Sequence, residues 1–139
     1  MKAKGLTRET ILDLAMVDRN FPKFEIGDAI AVSQWIIEGA KRRLQIFEGD
    51  VIAMHKNGVS TTFTIRKIGS DSISVERIFP YYSPIIESIK LVHKGDVRRA
   101  KLYYMRTRVG KKARVKERIM TKQEKELASQ KAAQEKTVN

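Results

Sequence analysis

The chain has 139 residues, enough for one domain, and its 28 Lys and Arg against 16 Asp and Glu give a formal net charge of +12. A cation this strong favours a polyanionic partner, nucleic acid before an anionic membrane surface. At 42% hydrophobic residues the chain is too apolar to be a basic tail throughout, and the lack of any cysteine excludes disulfides, thiolate metal sites and cysteine nucleophiles.

Residues 1–20 carry one short amphipathic run. Thr7 is a predicted N-cap, Glu9 suits the first-turn dipole, and Ile11, Leu14 and Ala15 share a face, so a helix is expected over 7–17. Phe21-Pro22 ends it. The run is too short for a secretory signal and too rich in acids for a transit peptide. Nothing approaches the roughly 18 apolar residues of a membrane span. The sequence therefore reads as a soluble protein that works where it is made.

From Gly27-Asp28 the period changes to that of strands. A first strand runs to Trp35-Ile36-Ile37, and Glu38-Gly39-Ala40 is a turn. Leu44, Ile46, Val51 and Ala53 alternate around Glu48-Gly49-Asp50, where the glycine predicts a bulge or bend. Lys56-Asn57-Gly58 is a hairpin turn. Thr61 to Ile68 is the next strand, with Phe63 and Ile65 facing inward. After the turn Gly69–Ser72, Ile73 and Val75 alternate into Ile78-Phe79, and Pro80 stops the run. Ile85 to Val92 and Val97 to Met105 are two further strands, separated by Lys94-Gly95-Asp96. Short strands at this spacing predict a small barrel or sandwich. Helix is expected again from Lys111, and residues 122–136 are strong helix formers with few apolar side chains.

Charge is unevenly placed along this plan. Residues 21–100 are net +3, whereas residues 101–120 alone are net +7. Between Arg98 and Arg118 ten bases face the single Glu117. A solvated face interleaves its charges, and ten to one is no interleaving. Each base seated on a phosphate would release condensed counterion, so this run reads as a phosphate-binding segment.

No catalytic constellation competes with that reading. His55 and His93 are isolated, and no P-loop, dinucleotide fingerprint or nucleophile elbow occurs. Glu48 and Asp50 share a strand face, yet no nucleophile, base or metal ligand converges on them. Neither an enzyme nor a bound metal or cofactor is expected. Tyr103 and Tyr104 sit among bases; one should point into the core and the other outward. Trp35 reads as core or as a protein contact.

Seven stretches in order carry a resemblance: FEIGDAIAV (24–32), EGAKRRLQIFEGDVIA (38–53), FTIRKI (63–68), VERIFP (75–80), SPIIESI (83–89), GDVRRAKLYYMR (95–106) and GKKARVKER (110–118). Together they resemble the bacterial-type large-subunit ribosomal protein nineteen family over about residues 21–118. The resemblance implies a mainly β protein: an SH3-like β-barrel with an N-terminal helix and a basic, partly helical C-terminal extension. The expected divisions are 1–20, an N-terminal helical segment; 21–106, the barrel; and 107–139, the extension with its tail. Three departures are Asp50, where an apolar or neutral residue is expected, Tyr81-Tyr82, where a pair often includes His, and residues 121–139, which run beyond many members.

The resemblance also implies a ribosome-bound protein, cytoplasmic or on the bacterial-type ribosome of an organelle, that neutralises and braces large-subunit ribosomal RNA. It would touch small-subunit RNA at the subunit interface and neighbour ribosomal proteins three and fourteen, with no membrane partner. The expected RNA contacts are Lys41, Arg42 and Arg43 on a turn, Arg66 and Lys67, and the run Arg98, Arg99, Lys101, Arg106, Arg108, Lys111, Lys112, Arg114, Lys116 and Arg118. A competing expectation is an SH3-like nucleic-acid-binding module of transcription or RNA assembly.

Overall fold

A computed structural model describes residues 19–119 together with Thr7, Met16 and Val17. Among the described residues five strands occur: β1 Ala29–Glu38, β2 Lys41–His55, β3 Thr62–Ile68, β4 Ser74–Pro80 and β5 Ile86–His93. All pair antiparallel in one sheet of order β4-β3-β2-β1-β5, so β1 to β4 form a meander and β5 returns beside β1. The helices expected over 7–17 and 122–136 fall almost entirely outside the described residues.

The barrel is not closed. β4 and β5 stand at opposite edges of the sheet with no ladder between them. Strand periodicity fixes which side chains face inward but says nothing about whether the two outer edges meet. The sheet still curls. Neighbouring strands lie about 4.8 Å apart, so β4 and β1 would be about 14 Å apart in a flat sheet. Instead Gln34 of β1, with its amide turned to satisfy both partners, accepts from both Arg77 terminal nitrogens of β4 at 2.7 and 2.9 Å.

All five strands supply one apolar cluster: Ile30 and Val32 from β1, Val51 from β2, Phe63 and Ile65 from β3, Phe79 from β4, and Ile86 and Ile89 from β5. Phe24 closes it from the N-terminal side, its ring 5.2 Å from that of Phe63. The inward alternation expected at Phe63 and Ile65 holds, at 1% and 0% exposure. The run Val51-Ile52-Ala53 is buried without alternation because both faces of the sheet are covered there. Ile52 and Ala53 face a second cluster with Leu102 and Met105, against which Tyr104 and Val115 pack.

Gly49 has a more specific reason than a bend: a Cβ there would strike the backbone carbonyl of Arg66 on the neighbouring strand. The register shift itself lies slightly later, between Val51 and Ala53. Two strand expectations need correcting. Lys41–Arg43 are not on the turn but open β2, paired with Ile36–Glu38. Residues 97–105 form no strand; an irregular stretch leads into a 3-10 turn, Tyr103–Thr107. Leu102 and Met105 are buried three residues apart, the spacing of a tight turn rather than of a pleat. The Leu102 N–H meets the Ile52 carbonyl at 2.8 Å, beyond the point where β1 stops covering that edge of β2.

Of the helix expected from Lys111, the described residues show one 3-10 turn, Gly110–Ala113. Residues 116–118 then run alongside 94–96 as strands do. Glu117 bridges Gly95, the Asp96 N–H donates to the Lys116 carbonyl at 2.7 Å, and the Arg118 N–H donates to the Lys94 carbonyl at 2.8 Å. The most basic stretch of the chain is therefore tied back onto the sheet through its main chain.

Candidate nucleic-acid interface

Two carboxylates pair with three of the predicted bases. Glu76 on β4 lies opposite Arg66 on β3. It accepts from Arg66 Nη1 at 2.9 Å and from Arg106 Nη2 at 2.8 Å. Arg66 is only 6% exposed, so its guanidinium is withdrawn from solvent into this pair. The Arg106 hydrogen bonds, seconded by Arg66, hold the Glu76 carboxyl below the usual glutamate range, although partial burial opposes them. On the β1–β2 hairpin, Arg43 donates to Glu38, and both groups stay in solvent.

The other predicted positions are exposed: Lys41, Arg42, Lys67, Arg98, Arg99, Lys101, Arg108, Lys111, Lys112, Arg114, Lys116 and Arg118. The Arg42 guanidinium lies over the Trp35 ring, 4.1 Å from its centroid, and the Trp35 indole N–H donates to Glu87. Trp35 thus joins β1, β2 and β5 on the outer face of the sheet rather than filling the core.

The tyrosine pair divides as expected, though on a 3-10 turn instead of a strand. Tyr104 is half-buried against the second cluster, while Tyr103 is exposed. Arg99 and Arg108 approach the Tyr104 ring at 5.0 and 4.5 Å from its centroid. Lys101 and Arg106 approach the Tyr103 ring at 5.9 and 4.6 Å. Guanidinium faces resting on aromatic rings keep their N–H edges free for phosphate. The turn gathers four predicted contact residues around two rings, of which Arg99 and Arg108 present guanidiniums in this way, whereas Arg106 is already held by Glu76. Arg77, absent from the predicted set, is exposed and lies 5.4 Å from the Phe79 centroid, but both its terminal nitrogens already donate to Gln34. No local charge run marks it in the sequence.

Beyond Thr107 the extension is anchored by small buried contacts that leave its cations outside. Ala113 is 3% exposed and Val115 is half-buried, whereas Lys111, Lys112, Arg114 and Lys116 stand around them in solvent. Asp28, itself buried, accepts from the Gly95 N–H at 3.1 Å and so holds the segment to which residues 116–118 are joined. Gly95 is required at that crossing, because a Cβ would collide with the Gly27 backbone.

Asp50 gains its explanation here. Its carboxylate accepts a hydrogen bond from the Val115 backbone N–H and feels His93 and Arg114 nearby. It shares the face of β2 with Glu48, but as an anchor for the extension. Burial is the dominant influence and pushes the Asp50 carboxyl above the usual aspartate range. An acid whose folded-state pKa is raised contributes stability while protonated and loses it as pH rises through that value. Asp50→Asn keeps an acceptor for Val115 and removes the charge. Its melting temperature is expected to equal or exceed that of the parent near pH 7, with the gain vanishing near pH 4; melts at those two pH values check this.

Among the described residues no group of three or more His, Cys, Asp or Glu is placed to hold a metal, and no helix is long and apolar enough to cross a membrane. The arrangement offers an array of exposed cations, most of them on a segment tied to the sheet through its main chain. A family model described as Ribosomal protein L19 matches residues 9–118, well over half of the chain.

Proposed function

The chain belongs to the ribosomal protein L19 family, a structural protein of the large ribosomal subunit and not an enzyme, and from that premise we propose how it engages RNA. The exposed bases of the segment from Arg98 to Lys116, together with Lys41, Arg42 and Lys67, lie on ribosomal RNA phosphates. The main-chain ties between residues 94–96 and 116–118 support this reading most, because they hold the basic segment in place before any RNA arrives. Cations fixed in advance lose less conformational freedom on binding than a disordered arm would. Phosphate contacts position a protein without reading sequence, so RNA shape supplies the specificity. Arg66 and Arg106 serve the fold through Glu76. Arg43 joins the contact set by exchanging Glu38 for phosphate.

The same reading extends to the finer expectations. The meander with β5 returned to β1 is an SH3-like arrangement left open at the β4–β5 seam. The protein braces the interface with the small subunit, touching its RNA, and neighbours ribosomal proteins three and fourteen. The divisions at 20 and 106 mark where the sheet unit begins and gives way to the extension, although Val115 and Glu117 pack back on it. The working place is a ribosome of bacterial type.

Sedimentation at low and high salt tests the proposal. The chain is expected to travel stoichiometrically with the large subunit and to be stripped by high salt, as a phosphate-bound protein must be. Recovery chiefly as free protein from a gentle lysate would overturn it. Equal affinity for duplex DNA and ribosomal RNA at matched salt would instead favour a general nucleic-acid module.

A further inference from the structure

We propose that the cleft walled by Phe24, Met54, Tyr81 and Tyr82 receives one unstacked nucleobase of single-stranded RNA. The inference rests on the RNA-binding reading and names a subsite within it. The cleft has a volume of about 570 Å³, within the range of sites that take small molecules. Its walls are aromatic and thioether surface, and Lys23 and Lys56 stand at its rim. The Tyr81 and Tyr82 rings meet edge to face at 5.0 Å, and Phe21 holds Tyr81 from another side at 5.7 Å. The pair is therefore braced, and Tyr82 keeps part of its ring in solvent.

Charge and continuity select the occupant. A second depression shares Phe24, Met54 and Lys56 with the cleft and runs on to Arg98 and Arg99. Four cations thus border the joined groove, against the single carboxylate of Glu25. Arg99 in turn lies over Tyr104, inside the basic surface of the 3-10 turn. An apolar side chain from a neighbouring protein would use the aromatic walls and leave the cations idle. A nucleotide uses both, with its base on the rings and its phosphates on Lys56 and Arg98. Base stacking on aromatic side chains is tolerant of sequence and adds to the electrostatic term.

The test compares a short oligoadenylate with an abasic oligomer of the same length and charge. The parent protein is expected to bind the oligoadenylate about ten- to hundredfold more tightly, the contribution of one stacked base. Tyr82→Leu and Tyr82→Ala are expected to abolish that preference without changing the salt dependence, and Tyr82→Phe to retain it. Unchanged preference in Tyr82→Leu, or no preference in the parent protein, would overturn the cleft, including the case in which a protein side chain occupies it. In that event full, salt-sensitive binding to large-subunit RNA would leave the wider reading standing. Loss of binding to both oligomers and to large-subunit RNA would defeat the wider reading itself.

Discussion

Glu76→Gln is expected to destabilise the fold by about 2–3 kcal/mol. Removing one partner of a buried ion pair leaves an uncompensated charge, at a cost of about 3–5 kcal/mol where burial is complete. The Glu76 side chain is 24% exposed against 6% for Arg66, so solvent offsets part of that cost. Arg66 has little else to turn to, because its Nε is buried without a partner. Denaturant unfolding should show a lowered midpoint. The pH dependence gives a second reading. The Glu76 carboxyl is held low in the folded state by Arg106 and Arg66. Its stabilisation is therefore present above the ordinary glutamate range and lost as pH falls through the depressed value. Glu76→Gln should flatten that acid limb. Arg106→Ala removes only the exposed arm of the bridge and should lower the midpoint much less. Arg66→Met combined with Glu76→Gln should recover most of the loss, since an apolar side chain needs no compensating charge. A Glu76→Gln midpoint matching that of the parent would show that Arg66 finds its counter-charge elsewhere.

Replacing Lys111, Lys112, Arg114 and Lys116 together by Ala is expected to weaken binding to large-subunit RNA about a hundredfold or more at physiological salt. Each lost phosphate contact should make the log–log salt slope shallower by about 0.7–0.9. Four should therefore change it by about 3, since their side chains reach solvent while Ala113 and Val115 hold the backbone between them. Stability should move little, because none of the four is buried. Titrations of affinity against salt separate the outcomes. A parallel slope with a small offset would mean that these bases face protein or solvent. Arg106→Ala serves as the comparison, with its slope expected to stay at the parent value because Glu76 already holds that guanidinium.

Much of this was legible in the residues. Alternation located Phe63 and Ile65 on the inner face, and the turn signals at Asn57-Gly58 and Gly69–Ser72 separate β2, β3 and β4. Ten bases around one acid single out the segment from Arg98 to Arg118 that we propose meets RNA. Three things were not legible, each for a physical reason. Val97 to Met105 has strand-forming residues, but tertiary contacts at Ile52 impose a three-residue period on Leu102 and Met105. Arg66 looks like any exposed base until its cross-strand neighbour is known to be Glu76. The return of residues 116–118 onto 94–96 depends on Asp28 and Gly95, which lie 67 positions apart and announce nothing locally.

The central claim is that the extension is a pre-positioned phosphate-binding surface, with Arg66 and Arg106 reserved for the fold. A structure of the assembled large subunit containing this chain tests it most directly. Arg98, Arg99, Arg108, Lys111, Lys112, Arg114 and Lys116 should lie within ion-pair distance of RNA phosphates, with the Gly95–Glu117 bridge intact and both Arg66 and Arg106 still on Glu76. An extension peeled from the sheet, or one whose cations face solvent and protein while RNA lies elsewhere, would contradict the account.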